Sequence, residues 1–262
     1  MSAWRLLITR PAADCALLAA QLAEEQIYSS SLPLLAMREL AETAAQRALL
    51  LNLDQYHAIV VVSKPAARLI LERLDRYWVQ PPLHPTWFTV GAASGKILQQ
   101  QGLVTHWPDP HDGDDSEALL ALPSFQQSLT QAVQPRVLIV RGSTGREFLA
   151  NTLKAQQVQV DFLPIYQRYL PDYAADELIQ RINQEQLNGI AVSSEQSLLN
   201  LLKLAADKWN LLQAMPLFVP SARVAATAKH AGAQQVINCQ GASNQKLIAA
   251  LHHSSSLLKN KD

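Results

Sequence analysis

The chain has 262 residues, 48% of them hydrophobic, with 22 Lys plus Arg balancing 22 Asp plus Glu for a formal net charge of zero. That is enough apolar material for one large folded core or two mid-sized ones, and it excludes a disordered chain and one that grips nucleic acid or anionic membrane by bulk charge. The two cysteines, Cys15 and Cys239, lie far apart without metal-ligand spacing, and no apolar run approaches the roughly 20 residues of a membrane span. A cytoplasmic protein with no membrane and no nucleic-acid partner is expected.

Short, mostly apolar runs predict strands over 5–9, 28–33, 58–62, 86–90 and 103–107, and the stripe Ala67, Ile70, Leu71, Leu74 predicts a helix over 65–77. The segment 108–116, PDPHDGDDS, reads as an exposed loop. Further strands are predicted over 136–140, 160–165, 189–193, 216–219 and 234–238. Leu149 and Leu153 mark a helix over 144–156, and the tail from 252, HHSSSLLKNKD, is expected to fray. Strands without polar alternation, separated by helical patterns, define an α/β chain whose parallel sheets are covered on both faces. Ten strands suit two sheets.

The chain also repeats itself at an offset of 131 residues. Arg5, Leu7, Ile8 and Arg10 fall on Arg136, Leu138, Ile139 and Arg141. The register continues through Leu32-Pro33 on Leu163-Pro164, Ile59 on Ile190, Val61 on Val192 and Ser63 on Ser194. Leucine pairs alone would be chance in so leucine-rich a sequence, but the Arg, Pro and Ser pairs point to two related α/β units. Taken by itself, the repeat suggests consecutive domains cut near residue 131.

The sequence has no GxGxxG, GxxxxGK[ST], HExxH or GxSxG, and its seven histidines show no ligand spacing. The turns between predicted strands and helices stand out instead: Thr9-Arg10-Pro11, Ser63-Lys64-Pro65, Ala92-Ala93-Ser94, Gly142-Ser143-Thr144, Ser193-Ser194-Glu195 and Ser221-Ala222-Arg223. Any one such hydroxyl is ordinarily a helix cap. Together they lie where open α/β sheets bind ligands, beside helix N-termini that offer N–H groups to anions. Gly142–Arg146 could be a phosphate loop or a tight turn. Arg10 and Arg141, ending equivalent strands, could be carboxylate clamps or salt-bridged struts, and Tyr166 could be an amphipathic packing residue.

These segments in order, ITRP, VVVSKPAA, VGAASGKILQQQG, DSEALLAL, VLIVRGSTGRE, LPIYQR, AVSSEQS and SARVAATAKHAG, resemble the uroporphyrinogen-III synthase family from about residue 5 to 251. Two departures are visible: Ser143 stands where the family's RGExGR motif carries an acid, and Ser94-Gly95 where it carries Thr-Ala. The resemblance implies two flavodoxin-like α/β domains, 1–35 with 168–262 and 36–167, joined by a two-strand hinge in which Leu32–Leu35 and Leu163–Tyr166 cross. It implies an enzyme that closes hydroxymethylbilane, a linear tetrapyrrole with eight carboxylates, to uroporphyrinogen III with loss of water, inverting the last ring through a spiro intermediate. No cofactor or metal is implied. Tyr166 matches the family's tyrosine and is expected to assist loss of the hydroxyl. Arg10, Ser63, Lys64, Ser94, Arg141, Ser193, Ser194 and Ser221 are expected to meet the carboxylates. A monomer is expected, with transient contact to the preceding enzyme, hydroxymethylbilane synthase. The alternatives are a two-domain small-molecule-binding module without catalysis and a nucleotide-sugar transferase.

Overall fold

The computed structural model describes residues 4–130 and 132–254. In chain order its strands and α-helices are β1 (Arg5–Ile8), α1 (Ala12–Glu24), β2 (Tyr28–Ser31), β3 (Ala36–Glu39), α2 (Ala44–Leu51), β4 (Ala58–Val61), α3 (Lys64–Tyr77), β5 (Thr86–Thr89), α4 (Ala92–Gln99), β6 (Thr105–His106), α5 (Ser116–Ala121), α6 (Pro123–Thr130), β7 (Arg136–Gly142), α7 (Phe148–Ala155), β8 (Gln159–Tyr169), α8 (Glu177–Gln184), β9 (Gly189–Ala191), α9 (Glu195–Ala205), α10 (Trp209–Leu212), β10 (Leu217–Val219), α11 (Ala222–His230), β11 (Val236–Asn238) and α12 (Asn244–His253). Every predicted strand has a counterpart, and β3 is an addition. The helix expected over 144–156 begins only at Phe148. His252 and His253 close α12 rather than open a frayed tail, the rest of which, from 255, lies outside the described residues.

The chain forms two compact units, one of residues up to Ala36 and from Tyr169 onward, the other Met37–Arg168. In the first, the sheet order is β11-β10-β9-β1-β2, parallel throughout. Leu7 of β1 faces a core with Ile190, Val192, Leu217 and Val219 under α8, α9 and α11. Its neighbours Leu6 and Ile8 face the other side, with Phe218 under α1 and α12. This alternation explains why the strand reads as an unbroken apolar run: both of its faces are covered. Strand β2, YSSS, is the polar exception, and it lies at the sheet edge.

The second unit orders its strands β3-β8-β7-β4-β5-β6, with parallel pairing from β8 to β6. Ile59, Val61, Leu138 and Val140 pack under α2, α3 and α4, while Val60, Phe88, Val137 and Ile139 pack under α5, α6 and α7. Strand order in the first unit is 2-1-3-4-5 by chain position, the flavodoxin-like winding, whereas in the second, counting β4 as first, β8-β7-β4-β5-β6 reads 5-4-1-2-3, with β7 and β4 adjacent inside the sheet. A consecutive cut near residue 131 is not what the contacts follow: β7 pairs residue by residue with β4, and β1 with β9.

Candidate active site

In a doubly wound sheet the loops leaving two adjacent strands in opposite directions open a crevice at their carboxyl ends. In the second unit those strands are β4 and β7, and a cavity of about 270 Å³ lies there. Val62 and Ser63 line it from the end of β4, Arg141 and Gly142 from the end of β7, and Phe162 and Tyr166 from β8.

Tyr166 is aimed by a break in register. Arg141 pairs with Pro164 but Gly142 pairs with Tyr166, so Ile165 is an extra residue and β8 bulges. A bulge re-aims the side chain that follows it. The Ser143 N–H holds the Tyr166 carbonyl at 2.8 Å. The ring lies so close over β7 that a Cβ on Gly142 would meet its Cε2 and Cζ at 2.9 Å. Tyr166 is only 4% exposed, and its Oη is 3.1 Å from Ser63 Oγ.

Ser63 is the N-cap of α3, accepting the Ala66 N–H at 3.3 Å, with Pro65 in the first turn, where a missing N–H costs nothing. Lys64 opens the same helix and is exposed. Arg141 is buried: its Nη1 donates to Glu147 Oε1 at 2.9 Å and its guanidinium lies 4.9 Å from the centre of the Phe162 ring. Gly145 makes room for it, since a Cβ there would be 2.8 Å from Arg141 Nη2. Neither Gly142 nor Gly145 has a positive φ, so both are needed for close approach and not for a left-handed turn.

The structure adds Asp114, Ser116 and Arg168, which the sequence did not single out, to the cavity lining, together with Thr144 and Arg146 from the loop after β7. Arg146 pairs with Glu117 at 2.7 Å, whereas the Arg168 side chain is exposed and makes no ion pair or hydrogen bond among the described residues. A sequence signal for Arg168 existed: it follows Tyr166 by two, the spacing that keeps side chains on one side of a strand. Ser94, in contrast, sits inside the first turn of α4, only 6% exposed, and is not part of the cavity lining.

The remaining expected residues belong to the first unit. Arg10 and Ser193 line a crevice of only about 10 Å³ with Cys239, Ala242 and Leu247. Arg10 Nη2 donates to the Ala242 carbonyl at 2.6 Å, and burial lowers its pKa against the opposing pull of Asp14. Both cysteines are free and buried, and burial pushes the Cys239 thiol up to about 11. Ser194 caps α9 through the Ser197 N–H at 3.1 Å, and Ser221 caps α11 through the Val224 N–H at 3.4 Å. The crevice of the second unit is thus open around a buried phenol, and that of the first is nearly filled.

A doubly wound α/β chain with a phenol and arginines around a cavity at strand carboxyl ends has the form of a small-molecule enzyme of this fold class. A family model described as Uroporphyrinogen-III synthase HemD matches residues 16–249. The chain is 31% identical over 252 residues to the uroporphyrinogen-III synthase of Salmonella typhimurium, covering 94% of this chain and 99% of that protein. It is 30% identical over 217 residues to the enzyme of Escherichia coli, covering 82% and 85%. Among solved structures, a mutant uroporphyrinogen III synthase from the extremely thermophilic bacterium Thermus thermophilus superposes with a TM-score of 0.63 at 16% identity, over 99% of this chain and all of that one. The chain belongs to the uroporphyrinogen-III synthase family, lyases of tetrapyrrole synthesis. Among the described residues, no helix is long and apolar enough to cross a membrane.

Proposed function

We propose that the cavity of the second unit is where this chain carries out its family's reaction, closing hydroxymethylbilane to uroporphyrinogen III with loss of water and inversion of the last ring. Tyr166 donates a hydrogen bond to the departing hydroxyl. One observation carries this reading: a phenol held nearly free of bulk water, its oxygen 3.1 Å from a hydroxyl at a helix start, in the crevice at the carboxyl ends of β4 and β7. Loss of the hydroxyl leaves a reactive azafulvene that closes unaided to the uninverted isomer. The protein's larger task is therefore to hold the two ends so that the substituted carbon of the last ring attacks first, giving the spiro intermediate; such positioning can lower a barrier by several kcal/mol.

The substrate's carboxylates are met locally. In the second unit Arg168, with no competing partner, takes one, and Arg141 and Lys64 take others. In the first unit Arg10, Ser193, Ser194 and Ser221 serve the same end, the capped helix starts adding N–H groups. Ser94 is left to packing. We further read the two units as copies of one ancestral α/β unit, supported by the 131-residue offset that sets β1 on β7 and by sheet orders that coincide when β7 and β8 are matched to β1 and β2. The two passages of chain between units, after Ala36 and after Arg168, serve as a hinge. The protein works in the cytoplasm as a monomer that receives its unstable substrate from hydroxymethylbilane synthase.

The test is to supply freshly made hydroxymethylbilane and separate the oxidised products. Excess isomer III over spontaneous isomer I is expected, and an unchanged mixture overturns the reading. Tyr166→Phe should lower kcat at least a hundredfold, within the range general acid assistance supplies; wild-type turnover would remove Tyr166 from the chemistry.

A further inference from the structure

Ser63 Oγ has two partners. The Ala66 N–H, which can only donate, reaches it at 3.3 Å, and Tyr166 Oη lies at 3.1 Å. A serine hydroxyl carries one proton and two lone pairs. The backbone N–H occupies a lone pair, so the bond to Tyr166 runs in one of two directions. If Tyr166 donates to Ser63, its proton is spent inside the protein and unavailable to a leaving group. If Ser63 donates to Tyr166, the phenolic proton is turned away from Ser63 and free to be given elsewhere.

We infer that Ser63 is a positioning residue that acts through Tyr166, in a one-way relay from the Ala66 N–H to the Ser63 hydroxyl, to the Tyr166 hydroxyl, to the departing hydroxyl of the substrate. This rests on the reading that Tyr166 assists that departure. The relay fixes which way the phenol points. It also favours the chemistry. As the phenol shares its proton with the leaving oxygen, negative charge grows on Oη, where a hydrogen bond from a donor itself polarised by an N–H at the start of the 14-residue helix α3 stabilises it. On this inference Ser63 does not bind a carboxylate, because its proton and one lone pair are already committed.

The experiment is steady-state formation of isomer III by the wild-type chain and by Ser63→Ala, Ser63→Gly, Ser63→Thr, Tyr166→Phe and the double variant Ser63→Ala/Tyr166→Phe. Ser63→Ala should lower kcat about tenfold with KM within about twofold, a fraction of what the acid itself contributes. Ser63→Gly, which retains a favourable helix-start residue but no hydroxyl, should lose as much, separating the relay from the cap. Ser63→Thr, with the hydroxyl restored, should recover most of the rate. The double variant should be no slower than Tyr166→Phe alone, since the relay then has nothing to act on. A Ser63→Ala loss of equal size in the Tyr166→Phe background overturns the relay while leaving Tyr166 its role, and so does a rise in KM at unchanged kcat, the signature of a carboxylate contact. A fully active Tyr166→Phe overturns the Tyr166 reading first and the relay with it.

Discussion

Gly142 occupies its position for a reason visible only in space. Its backbone is ordinary, but the Tyr166 ring lies where a methyl group would go, with 2.9 Å to the nearest ring carbons. Gly142→Ala must push the ring, and with it the hydroxyl, by several tenths of an ångström. Since misplacement of about 1 Å can cost 10²-fold in rate, kcat should fall roughly 10- to 100-fold, accompanied by about 1–3 kcal/mol of overpacking cost. Turnover and thermal unfolding measured on the same preparation check both, and wild-type turnover would show that the ring need not sit there. At this scale the sequence was half legible. Ser63, Ser194 and Ser221 could be read as caps because a cap is a local arrangement of residues three apart. That one of them also touches a phenol 103 residues away could not.

Strand β3, AMRE, escaped the sequence reading because it carries little apolar signal and most of its residues are exposed. Polar contacts hold it and the residues after it. Buried Arg73 of α3 donates from Nη2 to Glu39 and to the Leu40 carbonyl, each at 2.7 Å, and from Nη1 to Glu42 at 3.1 Å. Glu42 also receives Tyr77 and Arg47, and the Leu40 N–H reaches the Ile165 carbonyl at 3.0 Å. Arg73→Ala breaks a buried ionic cluster and should destabilise the second unit by roughly 3 kcal/mol at neutral pH. The hydrogen bond from Tyr77, and after it those from Arg47 and Arg73, hold the Glu42 carboxyl below its ordinary value of 4.5. A carboxyl lowered on folding stabilises above its unfolded value and loses that contribution as pH falls through the folded one. The gap between wild type and Arg73→Ala should therefore be widest above about pH 5 and shrink toward pH 3, as denaturant midpoints at the two pH values would show; a pH-independent gap would remove Glu42 from the cluster's energetics.

At the scale of the whole molecule, β1 is an inner strand of the first sheet, with β2 on one side and β9 on the other. Leu7, fully buried, packs with Ile190, Leu217 and Val219 from the far end of the chain. Leu7→Ala should cost about 2–5 kcal/mol. Hydrogen exchange followed by mass spectrometry should show the loss of protection in residues up to 36 and again from 169 onward, while 37–168 keeps its own; uniform loss would mean that the units unfold as one. By itself the sequence determined what depends on neighbours a few residues apart: neutral charge, strands covered on both faces, helix starts, and the echo between Arg5–Arg10 and Arg136–Arg141. Periodicity and capping act over one or two turns of chain, so they survive in one dimension. Tertiary structure alone decided that β7 joins β4 across any cut near residue 131, that a one-residue bulge turns Tyr166 toward Ser63, and that the crevice of the second unit stays open while that of the first fills with Arg10 and its neighbours. Those outcomes are set by which distant surfaces pack together, and no local pattern of residues encodes them.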